Sequence, residues 1–237
     1  MSITDAIFRP VLAASSARPL ITHYDDAMGN RIELSGATLA NWAAKTANWL
    51  TDEFDVEPGD EVCVRLPAHW QTAGVLLGAW WCGSHVVDAP QGARVAFVGS
   101  DAVEDAAGAE AIAVVALDAL GRGLPGTPDG GALDYLSEAR LSGDEFSPML
   151  PIPGDTPALV SSTVDEVLAA ARTRAGELGI GAGDRVLSTR DWTVPDGVLD
   201  TLLAPLVAGA SIVQVTGGVL DKLADRRATE RTTVDLL

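Results

Sequence analysis

The run Gly59-Asp60-Glu61-Val62-Cys63-Val64-Arg65-Leu66-Pro67, the apolar stretch from Trp70 through Leu77 to Trp81, and Gly83-Ser84-His85-Val86-Val87 decide the fold. They read as strand, loop, buried helix, glycine stop, strand. A second copy follows. Gly183-Asp184-Arg185-Val186 matches Gly59-Asp60-Glu61-Val62, an apolar helix runs through Leu199, Leu202, Leu203 and Leu206, and Ala208-Gly209-Ala210 supplies the stop. Each copy has an amphipathic helix ahead of it. Leu39, Trp42, Ala43, Thr46 and Leu50 share one face, as do Val164, Val167, Leu168, Ala171, Ala175 and Leu178. Helix, turn, strand, helix, strand is a right-handed α/β crossover unit. Two such units predict pseudo-symmetric halves rather than a solenoid array.

Working outward, the chain predicts a helix over 5–14 and then a hairpin. Its strands are 19–23 and 31–34, with turn chemistry at Gly29-Asn30. Ser35 to Thr38 offer caps for the next helix, which ends near Phe54. Past the first copy come strands at 94–99 and 111–117, with a short acidic helix at 101–107 between them. Alternation at these lengths predicts an α/β fold with doubly wound, mainly parallel sheets. Residues 121–155 are rich in Gly, Pro, Asp and Ser and read as a connector with a short helix near 133–139. The division expected is a first subdomain over 1–150, holding the hairpin and connector, and a second over 151–237. In the second, helix 164–178, strand 186–189, helix 198–207, strand 211–216, helix 219–229 and strand 233–237 follow in turn.

Bulk properties set limits on function. A chain of 237 residues with 47% hydrophobic content can bury a full core. The formal net charge of −17 argues against nucleic acid and anionic membrane partners, since phosphate binding needs clustered Lys and Arg. No stretch reads as a membrane span, and Met1 to Asp5 lack a basic region before an apolar one, so a cytoplasmic location is expected. Cys63 and Cys82 lie in apolar segments and read as buried thiols. His23, His69 and His85 show no metal-ligand spacing. No Gly-x-Ser-x-Gly elbow is present. Gly121-Arg122-Gly123-Leu124-Pro125-Gly126 fits a dinucleotide string, but Pro125 and Pro128 cannot open the helix such a site requires.

Thr38-Leu39, Glu57-Pro58-Gly59-Asp60-x-Val62, Arg65-Leu66-Pro67 and 79–87 together resemble the opening region of the adenylate-forming enzymes, the superfamily of acyl-CoA synthetases, luciferases and peptide-synthetase adenylation domains. Gly183 to Val186 and Leu202 to Ala210 resemble a later stretch of the same large domain. The chain is similar to a family of short actinobacterial proteins of unknown function that match the N-terminal part of those enzymes. The resemblance implies a large-domain scaffold. It also implies a Ser/Thr/Gly-rich phosphate loop ending in lysine before the second amphipathic helix, a loop that wraps phosphates with backbone N–H groups. Here that position reads Pro157-Ala158-Leu159-Val160-Ser161-Ser162-Thr163-Val164, without glycine or lysine. The family's ribose-binding aspartate and C-terminal catalytic lysine have no counterpart in the sequence.

The expectation is therefore a degenerate, pseudoenzyme-like relative acting as a binding or interaction module, with no cofactor and no catalytic residues. ATP or AMP with magnesium would enter only if the family activity survives. The alternatives are a subunit of a split synthetase completed by another chain, or a binder of a small acyl or nucleotide ligand. A homodimer or a protein partner is expected. The candidate ligand cleft has three parts. Ser161, Ser162 and Thr163 could form a reduced phosphate site, although Thr163-x-x-Glu166 is also a capping box. Arg190, Asp191 and Trp192 follow the second core strand, and the resemblance places an aromatic wall of an acyl pocket there. Thr216, Gly217 and Gly218 lie between a strand and a helix, at the carboxyl end of the sheet where open α/β folds bind ligands.

Overall fold

The computed structural model describes residues 1–218 and 220–237. Helix α1 (Ile3–Ser15) leads into the hairpin β1 (Pro19–Asp25) and β2 (Asn30–Ser35), then α2 (Gly36–Phe54). The first copy follows as β3 (Glu61–Arg65), α3 (Trp70–Cys82) and β4 (His85–Val87). Next are β5 (Val95–Gly99), β6 (Ala111–Val115), the two-residue β7 (Leu133–Asp134) and α4 (Tyr135–Ala139). The acidic segment 101–107 forms only a 3-10 turn over Val103–Ala106. The Gly121–Gly126 string lies in loop.

The second half opens with β8 (Pro157–Leu159) and β9 (Ser162–Thr163), then α5 (Val164–Glu177) and β10 (Arg185–Ser188). The helix expected over 198–207 is present but broken in type: α6 (Asp196–Val198), a π turn over Leu199–Leu203, and α7 (Ala204–Ala208). Strand β11 (Ser211–Thr216), a 3-10 turn over Leu220–Lys222, α8 (Leu223–Glu230) and β12 (Val234–Leu236) complete the chain. Val219, the first residue of the helix the sequence predicts over 219–229, lies outside the described residues.

Two mostly parallel sheets carry the strands. One runs β7-β6-β5-β3-β4-β8-β9 and the other β12-β10-β11-β1-β2. Among the described residues, only the β1–β2 and β8–β9 pairs are antiparallel. The buried strands carry the apolar runs that parallel sheets demand; all five residues of β5 are buried. Two segments cross between the units expected from sequence. The hairpin pairs through β1 with β11 of the second copy, Ile21 opposite Ile212 and Tyr24 opposite Val215. Strand β8 pairs with β4 of the first copy, Leu159 opposite Val86. The largest apolar cluster spans both sheets, from Val62 and Phe97 to Ile21, Leu206 and Ile212.

The internal repeat holds down to single hydrogen bonds. Gly59 N–H donates to Gly83 O at 2.9 Å, and Gly183 N–H donates to Gly209 O at 3.1 Å. Asp60 Oδ2 accepts from Glu57 N–H at 3.0 Å; Asp184 Oδ2 accepts from Gly181 N–H at 2.7 Å. His85 N–H and Ser211 N–H donate to the carbonyls of Asp60 and Asp184. Gly83 and Gly209 both end their helices at positive φ, 91° and 79°, the left-handed cap that glycine adopts without strain.

Helix α3 is buried along almost its whole length and packs on α2. Gly78 permits the approach. A Cβ there would meet the side chain of Thr46 and lie 2.7 Å from the Ala43 carbonyl oxygen.

Candidate functional site

Parallel strands bring their carboxyl ends together, and in both sheets these ends open on one crevice. The loop after β3, Pro67-Ala68-His69, stands at its centre. On one side a cavity of about 360 Å³ is lined by Pro67, Ala68, Thr189, Arg190, Asp191 and Gln214, and by Val215 through Gly218. A wider opening of about 760 Å³ continues past Pro67 and Asp191 to Arg65, Asp88, Asp105 and Trp192. Such crevices, where successive crossovers diverge, are the usual ligand sites of open α/β folds.

Of the residues singled out from sequence, Arg190, Asp191, Thr216, Gly217 and Gly218 come together in the first cavity, and Trp192 lines the second. Asp191 Oδ1 accepts from Ala68 N–H at 3.0 Å and from Trp192 N–H at 2.8 Å. This carboxylate therefore ties the loop after β3 to the loop after β10. Arg190 Nε donates to Leu237 O at 3.3 Å. Trp192 is buried, and its indole N–H has no partner among the described residues. Thr216 Oγ1 lies 2.9 Å from His23 Nε2 and donates to Tyr24 O at 3.3 Å.

Sequence reasoning missed Gln214. Its side chain is buried on β11, its Nε2 donates to Arg190 O at 2.9 Å, and its Oε1 has no partner among the described residues. A polar residue in the apolar run Ile212-Val213-Gln214-Val215 was the available signal.

Ser161, Ser162 and Thr163 do not line either cavity. They form a tight turn instead. Val160 takes a left-handed conformation at φ 51°, and β9 folds straight back on β8, Leu159 opposite Ser162 and Pro157 opposite Thr163. The capping box forms: Glu166 N–H donates to Thr163 Oγ1 at 3.4 Å, and Thr163 N–H donates to Glu166 Oε2 at 2.9 Å. Val164 N–H donates to Thr156 O and Asp165 N–H to Gly154 O. The four N–H groups at the start of α5, which a phosphate would need, all have partners within the protein. The Thr163 hydrogen bonds hold the Glu166 carboxyl below its usual range, so this helix start already carries its own anion.

No family model matches the chain. A curated relative does: over 239 residues the chain is 44% identical to a TIGR03089 family protein of Mycobacterium tuberculosis (strain ATCC 25618 / H37Rv), covering 98% of this chain and 97% of that one. The chain belongs to the TIGR03089 family. Solved structures extend the comparison to fold. A Brucella canis acyl-CoA synthetase aligns with TM-score 0.81 at 16% identity, covering 99% of this family member and 47% of the synthetase. The anthranilate CoA ligase AuaEII, solved with anthranoyl-AMP, aligns at 0.78 and 15%, and a Streptomyces lividans acetoacetyl-CoA synthetase at 0.77 and 19%. The chain spans about half the length of these enzymes or less. Over essentially all of its length this chain thus shares the fold of part of the acyl-CoA synthetase large domain, as the sequence motifs imply. Among the described residues, no helix is long and apolar enough to cross a membrane, and no group of three or more His, Cys, Asp or Glu side chains could hold a metal ion.

Proposed function

We propose that this TIGR03089 family member is a binding module built on the synthetase scaffold and does not itself form acyl-adenylates. One observation carries the reading: the α5 N-terminus, where synthetases present a phosphate loop, is closed by the β8–β9 turn, and its N–H groups are consumed by Thr163, Glu166, Thr156 and Gly154. A nucleotide triphosphate would have to break these bonds and face the carboxylates of Asp165 and Glu166. ATP, AMP and magnesium are then not its cofactors.

The crevice beside the loop serves in this reading as the ligand site. Its polar contacts are Arg190, Asp191, Thr216 and the backbone of Gly217 and Gly218. A partner, either a second copy or another protein, would use apolar side chains such as Leu141, Met149 and Leu150 of the connector, which stand exposed.

ATP–pyrophosphate exchange by the purified chain, assayed over a panel of aliphatic and aromatic carboxylic acids, tests the proposal. No exchange above background is expected. Exchange dependent on any one acid would overturn it.

A further inference from the structure

A separate cavity of about 410 Å³ adjoins the crevice but shares no lining residue with its two parts. Its walls come from the hairpin (His23, Asp25, Met28, Asn30, Ile32), from His69, and from the loops after β5 and β6 (Ser100, 116–119, 123–125). His23 and His69 meet edge to face, ring centroids 4.5 Å apart, and are 3% and 6% exposed.

Their hydrogen bonds limit where the protons sit. Gln71 N–H donates to His69 Nδ1 at 3.1 Å, so the neutral His69 ring carries its hydrogen on Nε2. Thr216 Oγ1 lies 2.9 Å from His23 Nε2 and 3.3 Å from Tyr24 O; in the tautomer where it donates to Tyr24 O it accepts from His23 Nε2–H, and His23 Nδ1 is left as a bare lone pair. His69 Nε2–H and His23 Nδ1 therefore form a donor and an acceptor without a hydrogen-bond partner in the described protein, and neither is among its sealed, unsatisfied atoms. Burial keeps both rings uncharged at neutral pH, despite Asp25 near His23 and Asp118 near His69.

The remaining walls define what fits. Ile32, Leu117, Leu124 and Met28 supply apolar surface. Asp25 Oδ1 accepts from Ala27 and Met28 N–H, and Asp118 pairs with Arg122 at 3.0 Å. With both carboxylates already engaged and the imidazoles neutral, nothing in the walls offsets an anion, and no free carboxylate calls for a cation.

We propose that this cavity is a second binding site, for a small uncharged molecule whose amide-like carbonyl accepts from His69 Nε2–H and whose adjacent N–H donates to His23 Nδ1. A lactam or a primary amide on an apolar ring has this chemistry. The site stands whether or not the crevice binds a ligand.

The test titrates the full chain with 2-pyridone while following the ring nitrogen resonances of His23 and His69 by NMR. Benzoate is the anionic control of similar size. A saturable shift of both rings with 2-pyridone, and none with benzoate, is expected. His69→Asn keeps a side chain able to cap α3 but removes the Nε2–H donor, and should weaken binding about tenfold, the worth of one hydrogen bond. Ser100→Phe, at an exposed wall position, should abolish binding by filling the cavity, and it decides the matter if His69→Asn does not fold. Absence of a saturable shift, an equal response to benzoate, or unchanged affinity in Ser100→Phe would overturn the assignment.

Discussion

His23 and His69 set the protein's response to acid. An unfolded imidazole titrates near pH 6.5; burial lowers His23 to about 4 and His69 to about 3, with the charges of Asp25 and Asp118 opposing. Between pH 6.5 and 4 the unfolded chain therefore binds protons that the folded chain does not. Stability is full above pH 6.5 and falls as pH drops through that window, by on the order of 2–3 kcal/mol for each ring. Glu230 acts lower. Burial raises its pKa, but hydrogen bonds from Arg31, Tyr24 and Arg185 prevail and lower it from 4.5 to about 2, so its contribution is present above pH 4.5 and is lost as pH falls from there through about 2. Denaturant melts at pH 7 and pH 5 should show the histidine loss, and His69→Asn should reduce it. Equal stability at both pH values would contradict the burial of neutral rings. None of this was legible in the sequence. The two histidines lie far apart in the chain and meet only because β1 joins the sheet of β11, a nonlocal pairing that no local pattern reports.

Elements were legible where their chemistry is local. The Gly-Asp turns at Gly59 and Gly183 and the glycine stops at Gly83 and Gly209 announce the repeat, because backbone at positive φ and an aspartate that closes its own turn are short-range demands. Thr163-x-x-Glu166 announces its capping box for the same reason. Thr163→Ala should cost about 1 kcal/mol in chemical denaturation. A loss of nothing measurable would mean the box contributes nothing to closing the turn. Gly78 was not legible, since in the sequence it is one small residue in an apolar run. In the fold it lets α3 press on the backbone of α2 at Ala43. Gly78→Ala must push the helices apart, at about 2–3 kcal/mol. Gly74→Ala, four residues earlier with its nearest contact at 3.4 Å from Trp42, should be tolerated and gain up to about 1 kcal/mol of helix propensity. Similar melting temperatures for the two variants would contradict the close approach.

At the scale of the whole molecule, the two copies keep their internal hydrogen bonds but trade neighbours. The hairpin completes the second sheet and β8 joins the first, so the units are laced together by strands and by Asp191, which spans the crevice to Ala68. That lacing holds the carboxyl ends of both sheets on one side. That the residues after β10 and β11 would line the crevice was legible because strand-to-helix junctions are recognisable. The serine and threonine positions do not line it, because the chain turns straight back at Val160, at φ 51°, and continues as β9 against β8. We propose that this turn has replaced phosphate recognition. Calorimetric titration of the purified chain with ATP, in the presence and absence of magnesium, tests it most directly. The expected result is no heat of binding at millimolar nucleotide in either condition. Saturable, magnesium-dependent binding would contradict the claim, since the α5 N–H groups would then be open to phosphate.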